Sequence, residues 1–279
     1  MRLAEMAKKR RTEQKDVPAV LPGGHGEPED EPQQNQKPPF ASGLNFYKLF
    51  WIFFIGCFVG VVIETLWCLL TRHRLESRAG VIYGPFNPVY GFGAVLLTLC
   101  LHRLSKKRDL WIFLCSMVLG GAFEYLCSLV QELAFGTVSW EYSHTMFNIG
   151  GRTNLLYSFF WGILGLLWIK DIYPFLSRLI ERIPQRIGVI LTWVLCVFMV
   201  FNMGISALAC ARQADRQKGI PSTNAITEFL DRHYPDEFLR KIYPNAMPAD
   251  NIPPPEVTRK GEWLPEAGQA DQSENTSDS

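Results

Sequence analysis

Residues 49–70 read LFWIFFIGCFVGVVIETLWCLL. As an α-helix these 22 residues extend about 33 Å at 1.5 Å per residue, enough to cross the roughly 30 Å hydrocarbon core of a bilayer. They carry a single charge, Glu64. A second stretch of this kind lies at 110–130, again with one glutamate, Glu124, and a third at 187–211. Between them are two shorter apolar runs, 89–101 and 155–169. These reach spanning length only through the polar, turn-rich approaches 81–88 and 148–154. Irregular backbone at membrane depth is tolerated only against protein or a wet cavity, because an unpaired amide in lipid costs several kcal/mol. The expected fold class is therefore all-α: a polytopic helical membrane protein with about five transmembrane helices.

The whole-chain composition conceals this. Lysine and arginine total 28 against 27 acidic residues, but 14 of the 18 prolines fall in 1–45 and 212–279. Residues 1–45 lack an apolar period and are expected to be a disordered polar tail. The transmembrane domain is expected over 46–211. A polar tail follows over 212–279, with short amphipathic helices at 223–243 and a disordered end. In that tail Ile226, Phe229, Leu230 and Tyr234 follow helical spacing, and Pro235 opens a second helix with acids first and bases last, matching the helix dipole. It reads either as a docking element or as a small cap on the membrane domain.

The net charge of +1 offers no field for nucleic acid. The seven cysteines lie inside apolar runs without C-x-x-C spacing, so neither a disulfide framework nor a metal site is indicated, and nothing calls for a cofactor. Ten Lys or Arg residues flank the spans on the amino-terminal side and seven on the other. This favours a multi-pass protein of the cell membrane with a cytoplasmic amino terminus.

The most informative pattern is a repeat at an offset of 60 residues. Gly56, Gly60, Glu64 and Cys68 are spaced by four in the first span, and Ser116, Gly120, Glu124 and Ser128 are spaced alike in the third. Residues four apart share a helix face, and small ones admit a close neighbour. Only four of fifteen aligned positions are identical, so the spacing rather than identity carries the reading. The units would be 49–108 and 109–169, a parallel two-helix internal repeat, followed by a fifth helix at 187–211. Glu64 and Glu124, each about 9 Å from its helix end, would then share one depth. An intramembrane carboxylate marks a pathway, a proton relay or a paired partner. Either the pair forms a working site, or each glutamate staples its own unit through Arg78, Arg152 or a loop amide. The candidate substrate- or ion-site residues are Glu64, Glu124, Arg78, Tyr83, Asn87, Asn148, Arg152 and Asn154.

No G-x-x-x-x-G-K-S/T, H-E-x-x-H or G-x-S-x-G motif occurs, so no ATPase, protease or hydrolase signature is present and enzymatic activity stays open. The stretch from Arg78 to Ala94, RAGVIYGPFNPVYGFGA, together with Trp140 to Ser143 and Phe147 to Leu156, resembles a bacterial family of ABC-transporter permeases, type IV-like polytopic membrane proteins. The resemblance covers roughly 45–170. It implies a permease subunit of unknown substrate and a separate ATPase partner docking around 102–109 and 170–186, beside the lipid bilayer itself. Self-association into a homo-oligomer is left open. Two alternatives stand beside it: a membrane scaffold or regulator binding a protein or lipid, and a membrane-embedded enzyme acting on lipid or envelope precursors.

Overall fold

The computed structural model describes residues 39–73 and 75–249. The expected disordered stretches fall largely outside these, as do Lys8 to Arg11, Lys37 and Arg74. Within 39–45, read with the polar tail, Phe40 and Ala41 are buried, and the Phe40 ring fills the space that Gly188 leaves.

Eight helices follow: α1 (Phe46–Arg72), α2 (Pro88–His102), α3 (Asp109–Phe135), α4 (Leu155–Leu167), α5 (Tyr173–Glu181), α6 (Gln185–Gln217), α7 (Ala225–His233) and α8 (Asp236–Ile242). Local chemistry sets their ends. Asn45, Asn87 and Asn154 cap α1, α2 and α4 with side-chain oxygens that accept amides of the first turn. Pro88 begins α2, where its missing N–H costs nothing. Gly136 ends α3 in the left-handed region, and its amide closes on the Glu132 carbonyl. The fourth apolar run does not stop at 169. It passes through a π turn (Trp168–Ile172) into α5, so helical backbone continues to Glu181. Pro174 lies just beyond that turn and cannot donate to the carbonyl four residues back, which makes a wider turn the easy local solution.

Four helical runs are long and apolar enough to cross a membrane, and α2 is a shorter apolar helix. They form two hairpins, α1 with α2 and α3 with α4. In the first, Gly91 sits so close to α1 that a Cβ would meet the Phe53 carbonyl at 2.6 Å. Helix α6 runs alongside α1 in the same sense: Phe46 stacks on Trp193, Trp51 donates to Thr192 at 2.9 Å, and farther along Phe86 bridges Phe54 and Phe198. Outward faces are apolar. Ile63, Trp67, Val118, Val130, Val197 and Val200 are all exposed, a girdle that water would penalise and lipid would not. The chain is thus a multi-pass helical membrane protein in contact with lipid.

The near end, where α1, α3 and α6 begin, is pinned by polar contacts. Lys48 is 0 % exposed, with Nζ 2.5 Å from both Ser177 Oγ and Glu181 Oε1. Lys170 pairs with Asp109 at 2.8 Å, and Trp168 donates to Thr98 at 2.9 Å. From that end α2 rises about 22 Å before it reaches Asn87, and α4 rises by a similar amount from Lys170 to Asn154. The rest of the thickness is filled at the far end by two folded segments, 75–87 and 136–154. The second contains a ladder of β2 (Asn148–Ile149) with β3 (Thr153–Asn154), turned through Gly150 and Gly151, both at positive φ.

The carboxyl-terminal helices α7 and α8 close this end. Ile82, Ala209, Leu230, Tyr234 and Leu239 form one cluster. Arg212 donates twice to Asp231, at 2.9 and 2.8 Å, and Arg216 reaches both Asp231 and Asp236. A last strand, β4 (Met247–Pro248), pairs antiparallel with β1 (Thr137–Val138). The cap therefore touches both folded segments.

Candidate functional site

The far-end loops bend back along the helices they follow. In the first, the Asn87 amide donates to the Cys57 carbonyl at 3.0 Å, which places the start of α2 four turns below the end of α1. Asn87 caps α2 through Val89 and ties its Nδ2 to the Arg78 carbonyl at 3.3 Å. Arg78 then lies along α1, 3.5 Å from Glu64, 3.3 Å from Glu76 and 3.2 Å from the Cys68 sulfur. Tyr83 faces away from the glutamate. Its backbone exchanges two hydrogen bonds with the Asn202 amide, and its hydroxyl meets that of Tyr234 at 2.7 Å. Burial, and then this hydrogen bond, push the Tyr234 phenol up to about 12.

In the second loop, Glu124 accepts from Tyr142 Oη at 3.0 Å and from Thr153 Oγ1 at 2.9 Å. Arg152 does not reach it. Its guanidinium pairs with Glu132 at 2.5 Å, donates to Ser128 and lies 5.8 Å from the centroid of the Tyr125 ring. Burial first, then the charge of Glu124, and more weakly Tyr157 and Glu64, raise the Tyr142 phenol. The Tyr142 ring stacks on Tyr157 at 4.6 Å. Asn154, rather than Asn148, takes the capping role that Asn87 has in the first hairpin. Asn148 instead shapes the loop, donating to the Ser143 and Thr145 carbonyls and accepting from Gly151.

Six of the eight candidates therefore sit in two clusters: Glu64, Arg78 and Asn87 in one, Glu124, Asn154 and Asn148 in the other. Arg152 borders the second through Thr153, and Tyr83 belongs to the interface with α6 and the cap. Reading the residues in order missed Thr153 and Glu76, and marked Ser128 and Tyr234 only as helix-face residues. The Thr153-Asn154 pair immediately before an apolar run was the available signal for the first. The others depend on how the loops fold back.

Contacts within the hairpins correspond closely. A Cβ on Gly60 would overlap Tyr90, and one on Gly120 would overlap Trp161; Gly56 meets Ala94, and Ser116 meets Gly165. Positions on the first helix of each hairpin differ by 60, and those on the second by 71, in both pairs. The loops add a third correspondence, Arg78 on Cys68 and Arg152 on Ser128.

Among the described residues no group of three or more His, Cys, Asp or Glu side chains could hold a metal ion. The family described as "Putative ABC-transporter type IV" matches residues 51–207, from the second turn of α1 into the carboxyl-terminal part of α6. No curated protein and no solved structure matches the chain.

Proposed function

We infer function from one premise: the chain belongs to the ABC-transporter type IV family, whose match spans more than half of it. We propose that it is the membrane-embedded, permease-like subunit of such a transporter, working with a separate ATPase subunit. The observation that carries this reading is that the inner helix of each hairpin starts at an asparagine cap short of the far end, α2 about 22 Å above the near end, and is continued to the far end by folded loop. Broken helices of this kind set polar backbone and side chains at membrane depth, where transport sites are built. The matching contacts at shifts of 60 and 71 favour an internal duplication, with Glu64 and Glu124 as counterparts. The cationic loops at 103–108 and 178–186 support a cytoplasmic near end, which is where an ATPase would dock. Copurification of the tagged full chain from its native membranes tests the reading. Recovery of a nucleotide-binding ATPase with it is the expected result; recovery of non-ATPase membrane proteins alone would refute it.

A second reading, a membrane scaffold, is favoured by the ion pairs that each loop closes on its own helix, Arg78 with Glu64 and Arg152 with Glu132. Those are the contacts of staples. In that case Glu64→Gln and Glu124→Gln would lose folded protein rather than activity alone.

A further inference from the structure

The two hairpins repeat one set of contacts and depart from it at the glutamates. Each loop returns an arginine to the same helical step, Cys68 in one and Ser128 in the other. In the first hairpin that arginine also reaches the carboxylate one turn earlier, Glu64, at 3.5 Å. In the second it turns the opposite way, to Glu132, and Glu124 is met by two neutral hydroxyls. The duplicated scaffold thus holds one carboxylate with a guanidinium beside it and one without.

We infer that Glu124 binds a small monovalent cation, with the hydroxyls of Tyr142 and Thr153 as further oxygen ligands. A partly buried carboxylate among neutral neighbours gains most from a cation brought to it, because burial weakens the compensation that water gives. The charge sets the valence. Glu64, at the matching position of the first hairpin, already has Arg78 beside it, and no three-residue His, Cys, Asp or Glu group exists among the described residues to hold a multivalent ion. The ligand type sets the class: carboxylate and hydroxyl oxygens are hard donors suited to alkali cations rather than soft metals. Each hydroxyl carries lone pairs as well as a proton and can turn them toward a cation. Beyond Arg152, which is held one turn away on Ser128, the nearby side chains are Cys127 on the same helix, Tyr157 stacked on Tyr142, and Ser158 packed beside Gly121, none of them a carboxylate or a basic group. The same arrangement argues against an anionic ligand at this point, since Arg78 and Arg152 are both engaged by carboxylates.

The inference rests on the proposed reading of the far-end loops as the working face, but not on an ATPase partner. The test uses purified full-length protein, with thermal unfolding followed by tryptophan fluorescence in sodium, potassium or choline chloride at equal ionic strength. The expected result is a saturable rise in Tm with sodium or potassium relative to choline, lost in Glu124→Gln and retained in Glu64→Gln. If Glu124→Gln does not fold, Thr153→Ala decides. It keeps the carboxylate and should weaken the apparent cation affinity several-fold, while Thr153→Ser restores it. Equal Tm in all three salts, a saturable response that survives both Glu124→Gln and Thr153→Ala, or stabilisation by inorganic phosphate in place of the cations would overturn the proposal. An absent cation response would leave the copurification result standing, and an absent ATPase would leave the cation response standing.

Discussion

Gly120→Ala is a sharp test of how the hairpins are held. The added methyl would be driven into the Trp161 indole, where Cβ, Cγ and Cδ2 already occupy its place. Overpacking of this kind costs about 1–3 kcal/mol, and the gain in helix propensity from replacing glycine offsets up to about 1 kcal/mol. The net loss is up to about 2 kcal/mol, which is roughly a 30-fold change in the folding equilibrium at about 1.4 kcal/mol per decade. Gly204→Ala is the control, since no atom lies within 4 Å of a Cβ there; it should be neutral or slightly stabilising. Reversible unfolding in mixed micelles, titrated with a denaturing detergent, measures both. A double-mutant cycle then isolates the contact: in a Trp161→Gly background, which also removes the Trp161 Cβ that lies against the added methyl, the Gly120→Ala penalty should vanish. Gly60→Ala against Tyr90→Gly should behave in the same way if the hairpins are counterparts. A penalty for Gly120→Ala that persists unchanged without the indole, or an equal penalty at Gly204, would refute the packing argument.

Three further outcomes follow from the geometry. Arg212 holds the Asp231 carboxyl down to about 2 from its ordinary 3.8; a depressed acid contributes stability that is present above its unfolded value and lost as pH falls through the folded one. Proteolysis of the segment after α6 should therefore stay slow at pH 5 and accelerate between about pH 4 and 2, whereas Asp231→Asn should be cleaved readily at neutral pH. Asn154→Ala removes the cap of α4, together with its hydrogen bond to Thr145. It should cost about 1 kcal/mol in the same detergent titration, and Asn154→Asp should recover most of that loss. For orientation, Ser143→Cys in the second loop should react with an impermeant maleimide from outside the cell; labelling from the cytoplasmic side alone would invert the topology.

The spans were legible because apolar length is a local property. Leu49 to Leu70 announces a helix wherever it is placed, and the four-residue spacing of Gly56, Gly60 and Glu64 fixes a packed face without reference to anything distant. The route of a loop is not local. Which carboxylate Arg152 selects depends on the turn at Gly150 and Gly151 that swings it toward Glu132, and two candidate acids within one loop's reach look alike in sequence. Lys48 shows the same limit. It is one of the ten cations counted beside the spans on the amino-terminal side, yet it is fully buried because α5, reached through the π turn, brings Ser177 and Glu181 over it. The asparagine before each apolar run could have been recognised as a cap from its position alone. The choice of Asn154 over Asn148 required knowing that the chain turns back on itself between them.

The pairing of β4 with β1 has a consequence for biogenesis. Thr137 and Val138 leave the ribosome more than a hundred residues before Met247 and Pro248, the strand they bond. At translation speeds of roughly 5–20 residues per second, the second loop waits on the order of ten seconds for its partner. During that interval the mouth of the protein is unfinished, and membrane quality-control proteases have their opportunity. Stalled or shortened nascent chains would be recognised by that open rim rather than by any fault in the helices beneath it.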